Sequence, residues 1–84
     1  MRVKKVNKGK ARPLILKLKN DYMMSQRDIA KWCDVMYCVV NQWANDKVVA
    51  NDEHLDRLRE ALVLLAGRNV RYPHQALDIL QGKE

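Results

Sequence analysis

Four side chains in this 84-residue sequence have the chemistry to hold a soft metal ion or to act as nucleophile and base: Cys33, Cys38, His54 and His74. Their spacing argues against both roles. Four residues separate the cysteines but nineteen separate the histidines, which lacks the paired close spacing of a zinc finger. A cysteine nucleophile needs a base and a third group that orients it, and the sequence assembles neither around Cys33 or Cys38. Cys33 reads as a small buried hydrophobe. Asp52, Glu53, Asp56 and Glu60 read as the solvated face and first-turn charges of a helix. The expectation is a protein that is not an enzyme and carries no metal or cofactor.

The remaining chemistry is charge. The formal net charge is +6, from 16 basic and 10 acidic residues. Residues 1–12, MRVKKVNKGKAR, hold six of the bases (Arg2, Lys4, Lys5, Lys8, Lys10 and Arg12) and no acid. Residues 13–84 carry ten of each sign, so the whole net charge sits on one terminal stretch. Such a stretch suits a polyanion, either nucleic acid or an anionic membrane, or else simply aids solubility. A chain this short makes one domain with one modest core. Its longest apolar run, residues 61–66, is far below the roughly 20 residues of a membrane span. No apolar segment directly follows the basic start, which argues against a secretory signal. Two cysteines are too few for a disulfide scaffold and fit a reducing cytosol.

Punctuation and apolar spacing divide the chain into five short helices behind the basic arm. Pro13 suits the first turn of a helix over 13–22, with Leu14, Ile15, Leu18 and Tyr22 on one face. Ser25 is a good N-cap, and Asp28 three residues on completes a weak capping box for a helix over 25–33. Ile29, Ala30 and Cys33 form its inner face. Asp34, which accepts a left-handed backbone, ends it. A third helix starts at Met36, carries Val39, Val40 and Trp43, and ends near Asn45 and Asp46. Asn51 caps a fourth, striped by Leu55, Leu58, Leu62 and Leu65 and stopped by Gly67. Pro73 opens a fifth, with Ala76, Leu77 and Leu80 on one face and Gly82 behind it. The stretches 48–50 and 70–72 leave room for a small hairpin.

Residues 26–47, QRDIAKWCDVMYCVVNQWANDK, place two short helices across a turn of a few residues. Ala30 is small where the helices approach, and Val40 and Trp43 point back to the core. That is helix-turn-helix geometry, in which the second helix lies in the DNA major groove. The stretch resembles the helix-turn-helix of the phage Cro and repressor family, also called the XRE family. The resemblance rests on Gln26, Ile29–Ala30, the turn Asp34–Val35, Val40, Trp43 and Asn45–Asp46–Lys47, and covers roughly residues 13–66. Asp34 and Asp46 replace two usual glycines. Met36 stands where the family has a capping Ser or Thr.

The resemblance implies an all-α, lambda-repressor-like domain over 13–84, with its helix-turn-helix at 25–45 and a basic arm at 1–12. It implies that Tyr37, Cys38, Asn41 and Gln42 face DNA bases. Gln42 suits adenine N6 and N7, and the Tyr37 ring suits a thymine methyl. Gln26, Arg27, Asn45 and Lys47 are the expected phosphate contacts, joined by Lys4, Lys5, Lys8 and Lys10 of the arm. The function implied is a phage or prokaryotic transcriptional repressor in the bacterial cytoplasm or nucleoid. It would bind a palindromic double-stranded operator as a homodimer through Leu77, Ile79 and Leu80. Two other readings stand beside it: an antitoxin that binds a toxin and regulates its own synthesis, and an interaction module that docks a host protein.

Overall fold

The computed structural model describes residues 8–82. It contains five helices, here α1 (Ala11–Tyr22), α2 (Gln26–Cys33), α3 (Tyr37–Ala44), α4 (Asp52–Leu65) and α5 (Gln75–Leu80). No strand occurs among the described residues, and 48–50 and 70–72 are irregular connections, not a hairpin. The domain is all-α, as the apolar spacing predicts.

The helix ends follow local chemistry. α1 starts at Ala11, two residues before the expected Pro13. Pro13 sits at its third position, where a backbone N–H would have no intrahelical acceptor. Ala11 is buried in the core, so Ala11 and Arg12, assigned to the arm by composition, belong to the folded domain. α2 opens with a full capping box: Asp28 N–H donates to Ser25 Oγ at 3.1 Å and Ser25 N–H donates to Asp28 Oδ2 at 3.4 Å. α4 is capped by Asn51 Oδ1, which accepts from His54 N–H at 2.9 Å. α5 starts at Gln75 rather than Pro73, because His74 takes a left-handed conformation, φ 71°, immediately before it.

α2 and α3 end the same way. Asp34 sits at φ 57°, while Val35 N–H donates to Ala30 C=O at 3.0 Å and Asp34 N–H to Lys31 C=O at 3.3 Å. Asp46 also sits at φ 57°, with Lys47 N–H bonded to Gln42 C=O at 2.8 Å and Asp46 N–H to Trp43 C=O at 3.2 Å. Both are Schellman closures, in which one left-handed residue lets two later amides satisfy the last carbonyls. Aspartate supplies that residue where glycine would be least strained.

All five helices contribute to one core. Ile15 and Leu18 come from α1, Ile29 and Trp32 from α2, and Val40 and Trp43 from α3. Leu55, Leu58 and Leu65 of α4 and Ala76, Leu77 and Leu80 of α5 close it. Truncating one such leucine to alanine typically costs about 2–5 kcal/mol, a large share of a small domain's stability. The sequence reading placed a dimer contact at Leu77, Ile79 and Leu80. Leu77 is 6% and Leu80 9% exposed within the single chain, and Ile79 is half-buried. Leu77 and Leu80 are core residues and present little surface to a second copy.

A reciprocal clamp joins α2 to α4. Trp32 Nε1–H donates to Arg57 C=O at 2.8 Å, Arg57 Nε–H donates to Trp32 C=O at 2.9 Å, and the guanidinium lies 3.5 Å from the indole centroid. The clamp satisfies a carbonyl in the last turn of α2, buries Trp32 and shields its N–H from being left unpaired.

α3 has no side-chain cap, because Met36 occupies its N-cap with an extended backbone (ψ 151°) and a 72%-exposed side chain. Met36→Ser supplies an acceptor for the first-turn amides without disturbing the core. The expected gain is about 1 kcal/mol, read as a higher urea midpoint at unchanged slope; a lower midpoint contradicts the assignment of Met36 as an uncapped N-cap.

Candidate nucleic-acid interface

α3 divides cleanly into two faces. Val40 and Trp43 are buried, and Val39 and Ala44 are half-buried against the core. Tyr37, Cys38, Asn41 and Gln42 are all exposed, as the resemblance implies. The division follows from helical spacing: residues 37, 38, 41 and 42 fall on one side at i, i+1, i+4 and i+5.

The four exposed residues are not chemically equal. Gln42 has no side-chain hydrogen bond among the described residues, so its donor and acceptor are both available. Asn41 is partly committed: Asn45 Nδ2–H reaches its backbone carbonyl at 2.9 Å and its Oδ1 at 3.4 Å. Asn45, expected as a phosphate contact, thus also caps the end of α3. Tyr37 lies under the Arg27 guanidinium, whose Cζ is 5.2 Å from the ring centroid. That contact, a cation against a ring face, ties the start of α2 to the start of α3 across the turn.

The expected phosphate contacts flank this face. Gln26 is half-buried and Arg27 exposed at the first turn of α2, where the free N–H groups of a helix start favour anions. Lys47 is exposed and its amide closes the other end of α3. Lys8 and Lys10 are exposed in the turn that precedes α1. Lys4 and Lys5 lie outside the described residues. Arg12 reaches Asp46 at 3.5 Å, an exposed and weak ion pair. Its value is positional, because it puts the start of α1, and with it Lys10, beside the turn that ends α3.

Two residues that matter here have no local signal in the sequence. Arg57 of α4 holds α2 through Trp32. His74 Nδ1 lies 2.8 Å from Asp28 Oδ1, and Asp28 is 1% exposed. Each contact spans a long sequence separation, 25 residues for the first and 46 for the second. Periodicity and capping rules do not register such pairs.

The cysteines part company. Cys33 is buried, and desolvation pushes its thiol up from 9.0 to about 11 despite the opposing influence of nearby Arg57. Cys38 is exposed on the solvent-facing side of α3. A neutral aromatic disulfide reagent at pH 8 is therefore expected to modify Cys38 rapidly in the native protein and Cys33 only on unfolding, because thiolate and access are both required. Two fast equivalents by mass spectrometry would contradict the burial of Cys33. Among the described residues no group of histidines, cysteines and carboxylates is arranged to hold a metal ion, and no helix is long and apolar enough to cross a membrane. No protein-family model, curated protein or solved structure matches the chain.

Proposed function

We propose that the chain is a sequence-specific DNA-binding transcriptional regulator of the repressor type. One observation carries the reading. An exposed polar row on α3, led by Gln42 and Tyr37, has an exposed basic residue near each end. Arg27 stands against Tyr37 at the start of the row, and Lys47 closes the backbone onto Gln42 at its end. α3 would lie in the major groove with Gln42 reading a base edge, while Gln26, Arg27 and Lys47 fix its register on phosphates. The arm adds sequence-independent affinity. One α3 covers only a half-site, so two copies would read a palindrome with half-sites about 34 Å apart.

Selection of bound duplexes from a random pool tests this directly. The expected product is a two-fold-symmetric site, with Gln42→Ala weakening the selected site by about 1–3 kcal/mol and random duplex hardly at all. An unstructured pool after selection, or equal losses on both duplexes, refutes readout through α3.

The buried Ala11 sets the limit of an arm deletion at Lys10. Removing residues 1–10 deletes five bases. At about 0.9 per phosphate contact, the log–log salt slope of binding is expected to fall by up to about 4.5. The ratio of specific to random affinity stays nearly constant, and a collapse of that ratio shows the arm reading bases instead.

A further inference from the structure

The connection between α4 and α5 is a basic, acid-free segment. Residues 66–74, AGRNVRYPH, contain Arg68, Arg71, Tyr72 and His74 and no carboxylate. Arg68, Arg71 and Tyr72 are exposed, Tyr72 to 52%. Neither arginine has a carboxylate within ion-pair distance among the described residues, although both α4 arginines of the middle turns do: Arg57 pairs with Glu60 at 3.1 Å and Arg59 with Asp56 at 3.3 Å.

The segment is braced, not loose. Arg71 N–H donates to Gln75 Oε1 at 2.6 Å, and Gln75 Nε2–H reaches Asn69 C=O at 3.5 Å. With its amide turned to satisfy both groups, Asn69 accepts from Arg71 Nε and Nη2 at 3.2 and 3.3 Å. The brace is anchored on α2: His74 Nδ1 lies 2.8 Å from Oδ1 of the buried Asp28, the third residue of that helix. The same Asp28 closes the capping box that sets the first turn carrying Gln26 and Arg27. The segment thus carries one braced arginine, Arg71, and a second exposed one, Arg68, and is tied through His74 to the end of α2 that already has the chemistry to hold phosphate.

We infer that the 68–74 segment, anchored to α2 through His74 and Asp28, is a second phosphate-binding element that grips the DNA backbone beside the start of α2 with Arg68 and Arg71. Charge complementarity selects the ligand: two arginines without carboxylate partners match phosphates, and the bracing of Arg71 lowers the ordering cost of its contact. The Tyr72 hydroxyl adds a neutral donor of the kind that commonly bonds phosphate oxygens. This inference rests on the DNA-binding reading above, and assigns to the backbone a patch outside both the helix-turn-helix and the arm.

The test is a salt titration of binding to a random-sequence duplex of about 20 base pairs, using the full chain, Arg68→Ala/Arg71→Ala, Arg68→Lys/Arg71→Lys and His74→Ala. The double alanine variant is expected to lower the log–log slope by about 2, roughly one per lost phosphate contact, with an unchanged melting temperature and an unchanged preference for a selected site. The double lysine variant, which keeps the charges, is expected to retain the slope. His74→Ala is expected to weaken binding although both arginines remain. If the full chain binds duplex and the double alanine variant keeps its slope, the second element is refuted while the helix-turn-helix reading stands. If the full chain binds no duplex at low salt, both fall together.

Discussion

The carboxylate of Asp28 is the constraint on which the arrangement depends. It is buried to 1% exposure, where an unpaired charge costs several kcal/mol. It is tolerated because one oxygen accepts the Ser25 amide and the other meets His74 Nδ1 at 2.8 Å. Two requirements therefore meet in one side chain. Locally, it fixes where α2 begins. Over 46 residues, it fixes where the chain must pass on its way into α5. His74 reaches it from a left-handed backbone that forces α5 to start one residue later. Removing the partner without the charge would be worse than removing both, because the residual group is the buried one.

With the start of α2 fixed, its end and the path of α3 follow. Trp32 and Arg57 exchange hydrogen bonds that seat the last turn of α2 on α4. Two aspartates then make the same left-handed closure after α2 and after α3. Between them α3 has no freedom to roll: Val40 and Trp43 are fully buried, which leaves its other side to present Tyr37, Cys38, Asn41 and Gln42. The polar row is thus a consequence of core packing and turn chemistry.

Local physics was legible in the chain. The Ser25–Asp28 capping box, the Asn51 cap, the turns at Asp34 and Asp46 and the inward Val40 and Trp43 are readable from residue type and spacing, and the outward face of α3 from the resemblance. What escaped was every contact between distant residues. Trp32 gave no sign of its partner, and Arg57 looked like any solvated helix arginine. His74 looked like a lone histidine near a proline. Leu77 and Leu80 carried an apolar face that sequence alone cannot allocate between a core and an interface; the fold allocates them to the core. The edge of the arm was misplaced because charge composition marked Arg12 as arm, whereas burial of its neighbour Ala11 decides the matter.

Charge balance over residues 13–84 conceals a segregation that composition cannot reveal. Glu60 and Asp56 are paired with arginines of their own helix at i,i+3 spacing, and Asp28 is paired with His74 and buried. Asp46 is shared with Arg12. Three of these acids, Asp46, Asp56 and Glu60, stand beside an arginine that offsets their charge locally. A polyanion meets the local potential, not the net charge, and that potential is focused over distances near the Debye length, about 8–10 Å at physiological salt. On the reading proposed above, a stretch of zero net charge can therefore still attract phosphate wherever its bases locally outnumber its acids. In the proposed function, such a local excess of bases would orient the domain as well as attract it, presenting the exposed face of α3 to the DNA.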